Sequence, residues 1–315
     1  MRKLLAIAAA ALVAAMGGCG PSAGAGRDSR DSLLVCASIY PIYDFACKIA
    51  GDRAEVRPVM PLGAEPHDWE PAPSDIAALG GAEVFVYNGA GMEHWVDAVL
   101  EAVDTEAMLV VEASAEVPGL SAEGRGHEAQ EHDGEDHGHD HGDADPHVWL
   151  SPQNAKLQMQ AIQRAMSEAD PQNTGYYKQN YEHWAQELDA LDAQFRETLE
   201  PLPGKEIVVA HQAFGYLCRE YGLTQVAVRG FSPDAEPDPA QMAQVITWAA
   251  GHGIKVIFFE QAASPRVAQA IAREIGAETA VLSPLESLSE EQLEAGADYF
   301  SVMRENLSAL ERALS

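Results

Sequence analysis

Three histidines, His67, His147 and His211, share one setting: His67 lies in the loop after the second strand, His147 opens the segment that resumes after the fourth, and His211 directly follows the fifth. Ligands of open parallel sheets bind beyond the carboxyl ends of the strands. Neutral imidazole is the commonest side-chain ligand of borderline metals, so three of them in that setting point to a metal. One carboxylate would complete a four-coordinate site. Asp298, at the start of the last helical segment, and Glu260, at a strand end, are the two candidates. Taken singly, a histidine in a loop is more often a hydrogen-bonding or solvated residue than a ligand. The stretch from Ser121 to Asp145 alters that balance. There His127, His132, His137, His139 and His141 alternate with Asp and Glu, a composition suited to loose, accessory binding of Zn, Ni or Cu. His94, His183 and His252 lack ligand spacing and read as structural or exposed. The sequence holds no Gly-x-Gly-x-x-Gly, Walker-type loop, Gly-x-Ser-x-Gly or His-Glu-x-x-His.

The elements that must position these side chains fall into two halves. In the first, strands at Leu33 to Ile39, Ala54 to Met60, Val84 to Tyr87 and Met108 to Val111 alternate with helical segments. In the second, strands at Glu206 to Ala210, Leu223 to Val228, Val256 to Glu260 and Glu278 to Leu282 do the same. This rhythm predicts α/β architecture, with parallel sheets flanked by helices. Between the halves, Tyr177, Tyr181, Trp184, Leu188, Leu191, Phe195 and Leu199 recur at steps of three and four. That spacing predicts one apolar stripe on a long helix over 170–201, opened by Asp170-Pro171 and stopped by Pro201. It reads either as a core helix of a single domain or as a rigid strut between two lobes. The two flanking α/β halves favour the strut. The expected organisation is a lobe over 33–169 carrying a disordered insert over 121–145, a linker helix over 170–201, and a second lobe over 202–315.

The chain begins with Arg2-Lys3, an apolar run from Leu4 to Met16, and Gly17-Gly18-Cys19. That pattern predicts a lipoprotein signal over 1–18, with Cys19 as the lipidated first residue and 19–32 as a flexible tether. The formal net charge of −29 argues against nucleic acid or an anionic membrane surface as partner. Cys36, Cys47 and Cys218 leave at least one thiol unpaired. A Cys36–Cys47 bridge is possible, although buried free thiols fit the pattern better.

Four motifs carry a resemblance: Ser38-Ile39-Tyr40-Pro41-Ile42-Tyr43-Asp44-Phe45, Pro61 to Pro71 around Glu65-Pro66-His67-Asp68-Trp69, Asp145-Pro146-His147-Val148-Trp149-Leu150-Ser151-Pro152, and Ala210-His211-Gln212-Ala213-Phe214-Gly215-Tyr216-Leu217. From about Leu33 to the end the sequence resembles the cluster A-I (cluster 9) metal-binding solute receptors of bacterial ABC transporters, zinc branch. The resemblance implies two lobes joined by one long helix, with the metal in the cleft between them. It implies His67, His147, His211 and Asp298 as ligands, Zn²⁺ as the transported ion, a membrane permease as partner, and a monomeric receptor tethered in the periplasm or at the cell surface. Manganese or iron capture on the same scaffold is the nearest alternative. A zinc hydrolase is a more distant one, since catalytic zinc keeps an open position that a fourth ligand would close. Adhesion through a tethered surface is permitted but not demanded.

Overall fold

The computed structural model describes residues 32–120, 144–230, 239–260 and 264–315. The signal segment, Cys19, the five insert histidines and most of the tether lie outside these residues. In chain order the elements are β1 (Leu33–Ala37), α1 (Tyr40–Ala50), β2 (Ala54–Pro58), α2 (Pro73–Leu79), β3 (Val84–Tyr87), α3 (Val96–Ala102), β4 (Leu109–Glu112), α4 (Pro152–Ala169), α5 (Thr174–Leu199), β5 (Glu206–Val209), α6 (Gly215–Tyr221), β6 (Thr224–Ala227), α7 (Pro239–Gly251), β7 (Val256–Phe259), α8 (Arg266–Ile275), β8 (Glu278–Val281), α9 (Glu290–Glu294) and α10 (Tyr299–Leu314).

The strands form two wholly parallel four-stranded sheets. Their orders are β2-β1-β3-β4 and β6-β5-β7-β8, so the second half repeats the topology of the first. The central strands are continuous apolar runs, as a parallel sheet covered on both faces requires. Val84, Phe85 and Val86 of β3 and Ile207, Val208 and Val209 of β5 are all buried. Edge strand β2 instead alternates half-buried and exposed positions. Glycines in the left-handed conformation at Gly222 and Gly276 end α6 and α8 and turn the chain into β6 and β8.

The long helix is present, with a different start. Asp170-Pro171 opens a 3₁₀ turn over Pro171–Asn173, and α5 follows for 26 residues, about 39 Å at 1.5 Å per residue. The Asp170 carboxylate is occupied by the Asn173 amide and the Tyr177 hydroxyl, which keep that turn tight. Tyr177, Leu188, Leu191, Phe195 and Leu199 are buried along one side. The helix is not a bare strut. It packs on α4, α1 and α10, and one continuous core runs from Val35 and Val84 through Leu188 and Phe195 to Ile207 and Phe258. Residues Leu33–Ser315 accordingly form one compact unit.

Helix α3 begins at Val96; before it, the Glu93 side chain turns inward and accepts from Ser38 Oγ, Asn88 N and Gly89 N. Cys36, Cys47 and Cys218 are free thiols, and burial pushes the first two up to about 11.

Candidate metal centre

The polar side chains gather at the carboxyl ends of the strands. His211 stands two residues beyond β5, and Glu260 directly follows β7. These are the two strands between which the second sheet reverses its order, the place where open α/β sheets bind ligands. His67 comes from the loop after β2. Trp69 anchors that loop by packing edge-on against Trp95, with centroids 5.2 Å apart. His147 comes from the segment after β4. Asn88, just beyond β3, holds that segment by donating its amide to the Pro146 carbonyl (3.0 Å).

His67, His147, His211 and Glu286 offer ligand atoms that all lie within 4.8 Å of one another. The three Nε2 atoms converge on one oxygen, Glu286 Oε1, at 3.3, 2.8 and 3.2 Å from His67, His147 and His211. The Nε2 atoms of His147 and His211 are 3.4 Å apart. A tetrahedron with ligand bonds of about 2.0–2.1 Å has edges of about 3.3–3.4 Å. Three of the four separations are close to such edges, His147–Glu286 is shorter, and the cluster is compact enough to close around one ion as an N₃O set. His147 and His211 are fully buried, Glu286 is 3% exposed, and His67 is half-buried.

Two further carboxylates fix the rings. His147 donates from Nδ1 to Asp145 Oδ1 (2.8 Å), and His211 donates from Nδ1 to Glu260 Oε1 (2.6 Å). With Nδ1 committed, each ring presents Nε2 to the centre, the usual arrangement behind a metal-bound imidazole. Burial opposes charge on both rings, but the hydrogen bonds from Asp145 and Glu286 outweigh it and raise His147. Burial likewise opposes charge on His211, and Glu260 and Glu286 push it up to about 10. Burial would also raise Glu286. Hydrogen bonds from His147, His211 and His67 overcome this and hold it well below the usual carboxylate range. The centre is thus a buried carboxylate ringed by imidazoles, an assembly in which a divalent cation can replace the protons.

The three expected histidines are brought together; the expected carboxylates are not. Asp298 caps α10, accepting from Ser301 N (2.9 Å), and pairs with Lys48 (3.0 Å). A helix N-terminus and a lysine already use its charge, so it takes no part in the cluster. Glu260 is one residue removed, behind the His211 ring. Glu286 occupies the fourth position. The rule that points to His211 applies to it equally, for it lies in the loop beyond β8. Leu285, immediately before it, is buried with φ +60. That left-handed conformation is costly for a branched side chain and is typical of strained functional sites. Asp145 is a second departure. Expected as the last residue of a disordered insert, it is buried and bonded to His147. Among the described residues, His94, His183 and His252 stand outside the cluster. His94 faces Glu70 at the surface, His183 lies against Trp184, and His252 stacks on Trp248.

Known proteins give the geometry its context. The chain is 41% identical over 311 residues to the high-affinity zinc uptake system protein ZnuA of Bacillus subtilis, covering 99% of this chain and 97% of that one. It shares its fold with the metal-dependent lipoprotein YcdH of Bacillus subtilis, with a TM-score of 0.77, 38% identity, and coverage of 90% of this chain and 99% of that one. A similar match is the Zn(II)-bound ZnuA-like domain of Streptococcus pneumoniae AdcA, with a TM-score of 0.76, 35% identity, and coverage of 90% and 99%. Residues 35–313 match the family described as zinc-uptake complex component A, periplasmic, and the chain belongs to that ZnuA family.

Proposed function

We propose that the protein is an extracytoplasmic receptor that captures Zn²⁺ at His67, His147, His211 and Glu286 and delivers it to the permease of an ABC transporter. The observation that carries this reading is the convergence of three Nε2 atoms on one carboxylate oxygen, at 2.8–3.3 Å. Three imidazoles and one carboxylate suit Zn²⁺, whereas Mn²⁺ favours more oxygen. The set is closed by Glu286, which fits a carrier better than a hydrolase. Membership in a family of zinc-uptake components supports the same reading: a binding protein, not an enzyme. The receptor acts as a monomer tethered through lipidated Cys19. That reading draws support from the sequence preceding Cys19 and from the lipoprotein nature of the Bacillus relative. The histidines of the 121–145 stretch would gather zinc at lower affinity.

The test is zinc and manganese binding by the soluble mature protein with residues 124–142 excised, followed by competition between the two metals. One tight zinc site that outcompetes manganese is the expected result. Loss of all tight binding would move the site into the excised stretch. A preference for manganese would keep the scaffold and overturn the metal.

A further inference from the structure

The first residue of α6 is a glycine whose missing side chain is filled by Asp145. A Cβ built at Gly215 would lie 2.3 Å from Asp145 Oδ2, far inside contact distance. The other oxygen, Oδ1, is engaged twice: it accepts from the His147 backbone N–H (3.0 Å) and from His147 Nδ1 (2.8 Å). The Asp145 carboxylate is therefore wedged between α6 of the second half and the ring of His147 from the first. It cannot retreat from α6 without giving up its grip on that ring. The backbone behind it is fixed as well. Asp145 N–H donates to the Leu120 carbonyl (3.0 Å), and Leu120 N–H donates to the hydroxyl of Tyr216, the residue after Gly215 (3.1 Å). Leu120 and Asp145, which border the histidine- and acid-rich stretch, are thus held together, and Leu120 is bonded to Tyr216 of α6.

We infer that Gly215 and Asp145 form a positioning latch: the bare Cα of Gly215 seats the Asp145 carboxylate so that it sets the orientation and tautomer of the His147 ring toward Zn²⁺. Neither residue touches the metal. Both act through His147, and the inference rests on the assignment of His147 as a ligand. A carboxylate behind a metal-bound histidine is typically worth 10–100-fold in affinity. A methyl group at 215 displaces that carboxylate and costs a similar factor, although residue 215 contributes no ligand and no hydrogen-bonding side chain.

The experiment is zinc affinity by chelator competition, together with the visible absorption of the Co²⁺-loaded protein, on the full mature chain. Gly215→Ala is expected to weaken zinc binding about 10–100-fold and to alter the Co²⁺ spectrum while the metal-free protein stays folded. Asp145→Ser should do the same. The double variant should be no weaker than Asp145→Ser alone, because the carboxylate that the methyl displaces is already gone. Gly175→Ala, at a helical glycine with open space around it, should bind as the parent does. If Gly215→Ala does not fold, Asp145→Asn carries the test, since it introduces no clash. Parental affinity and an unchanged Co²⁺ spectrum in Gly215→Ala and Asp145→Asn would overturn the latch. His147→Ala separates that outcome from failure of the site itself. If the parent binds zinc, His147→Ala loses it and the latch variants do not, only the latch is wrong. If the parent or His147→Ala contradicts the site, the ligand assignment falls first.

Discussion

At the scale of single residues, two carboxylates that look alike in the sequence have opposite duties. Glu286 sits among three imidazoles, while Asp298 caps α10 and pairs with Lys48. Glu286→Ala should therefore lower zinc affinity by at least about 100-fold, since loss of a ligand exceeds loss of its supporting partner. Asp298→Ala should leave affinity within a few-fold and cost about 1 kcal/mol of stability from the lost cap. Titration with a competing chelator and denaturant unfolding of both variants distinguish the roles; a reversed pattern would restore Asp298 as the ligand. The protons of the site add a second expectation. His211 is pushed up to about 10 and His147 is raised, so protons on these rings compete with zinc, which must displace them. Affinity should then fall steadily as pH is lowered from about 8 to 6, with proton release visible as a buffer-dependent binding enthalpy. A pH-independent affinity and no buffer dependence would contradict the placement of those protons. The three histidines are legible in the sequence because each lies on the chain that leaves a strand of the α/β rhythm, His211 directly and His67 and His147 in the connections after β2 and β4. Glu286 is not, because it sits in an aperiodic loop and is aimed by the left-handed backbone of Leu285, which no residue pattern announces.

At the scale of elements, the strands and most helices follow from apolar runs and their punctuation, and their boundaries shift by no more than about four residues, the start of α5 the most. What the pattern does not disclose is the partner of each face. The stripe on α5 fits a strut and a core helix equally well, and only packing distinguishes them. In the structure Phe195 stacks on Tyr221 of α6 with centroids 5.0 Å apart, and its neighbours on the stripe belong to the core that both sheets share. Truncating Phe195 to alanine should cost about 3–5 kcal/mol, the usual loss for a buried aromatic ring. Because the core is continuous, tryptophan fluorescence and circular dichroism should still report one coincident unfolding transition. Two separated transitions in the parent or the variant would mean that the halves are independent domains and that α5 merely connects them. Asp145 shows the same limit in reverse. Its composition assigns it to the acidic stretch, while its contacts with Leu120 and His147 assign it to the centre.

At the scale of the whole molecule, the two halves meet through the site as well as along α5. The Trp149 indole, two residues past His147, donates to the Pro284 carbonyl, two residues before Glu286 (2.8 Å). The Tyr299 hydroxyl of α10 donates to the Trp149 carbonyl (2.7 Å). Tyr216 holds Leu120 from the other side. The segment bearing His147 is therefore tied to the second half directly at Trp149 and, on its other flank, through Leu120, which accepts from Asp145 N–H. With these ties, a continuous core and a 26-residue helix across the junction, wide hinge closure would break buried contacts at several places at once. Zinc loading should accordingly change the radius of gyration by less than about 1 Å, the range of preorganised binding proteins. Small-angle scattering of chelator-treated and zinc-loaded mature protein measures this directly. The comparison is cleanest with residues 124–142 excised, because compaction of that stretch around metal would otherwise mimic domain closure. A compaction of several ångströms in the excised protein would show that the Trp149–Pro284 and Tyr299–Trp149 bonds form only on loading. Capture would then proceed by closure of the halves and not by local movement of the half-buried His67 loop.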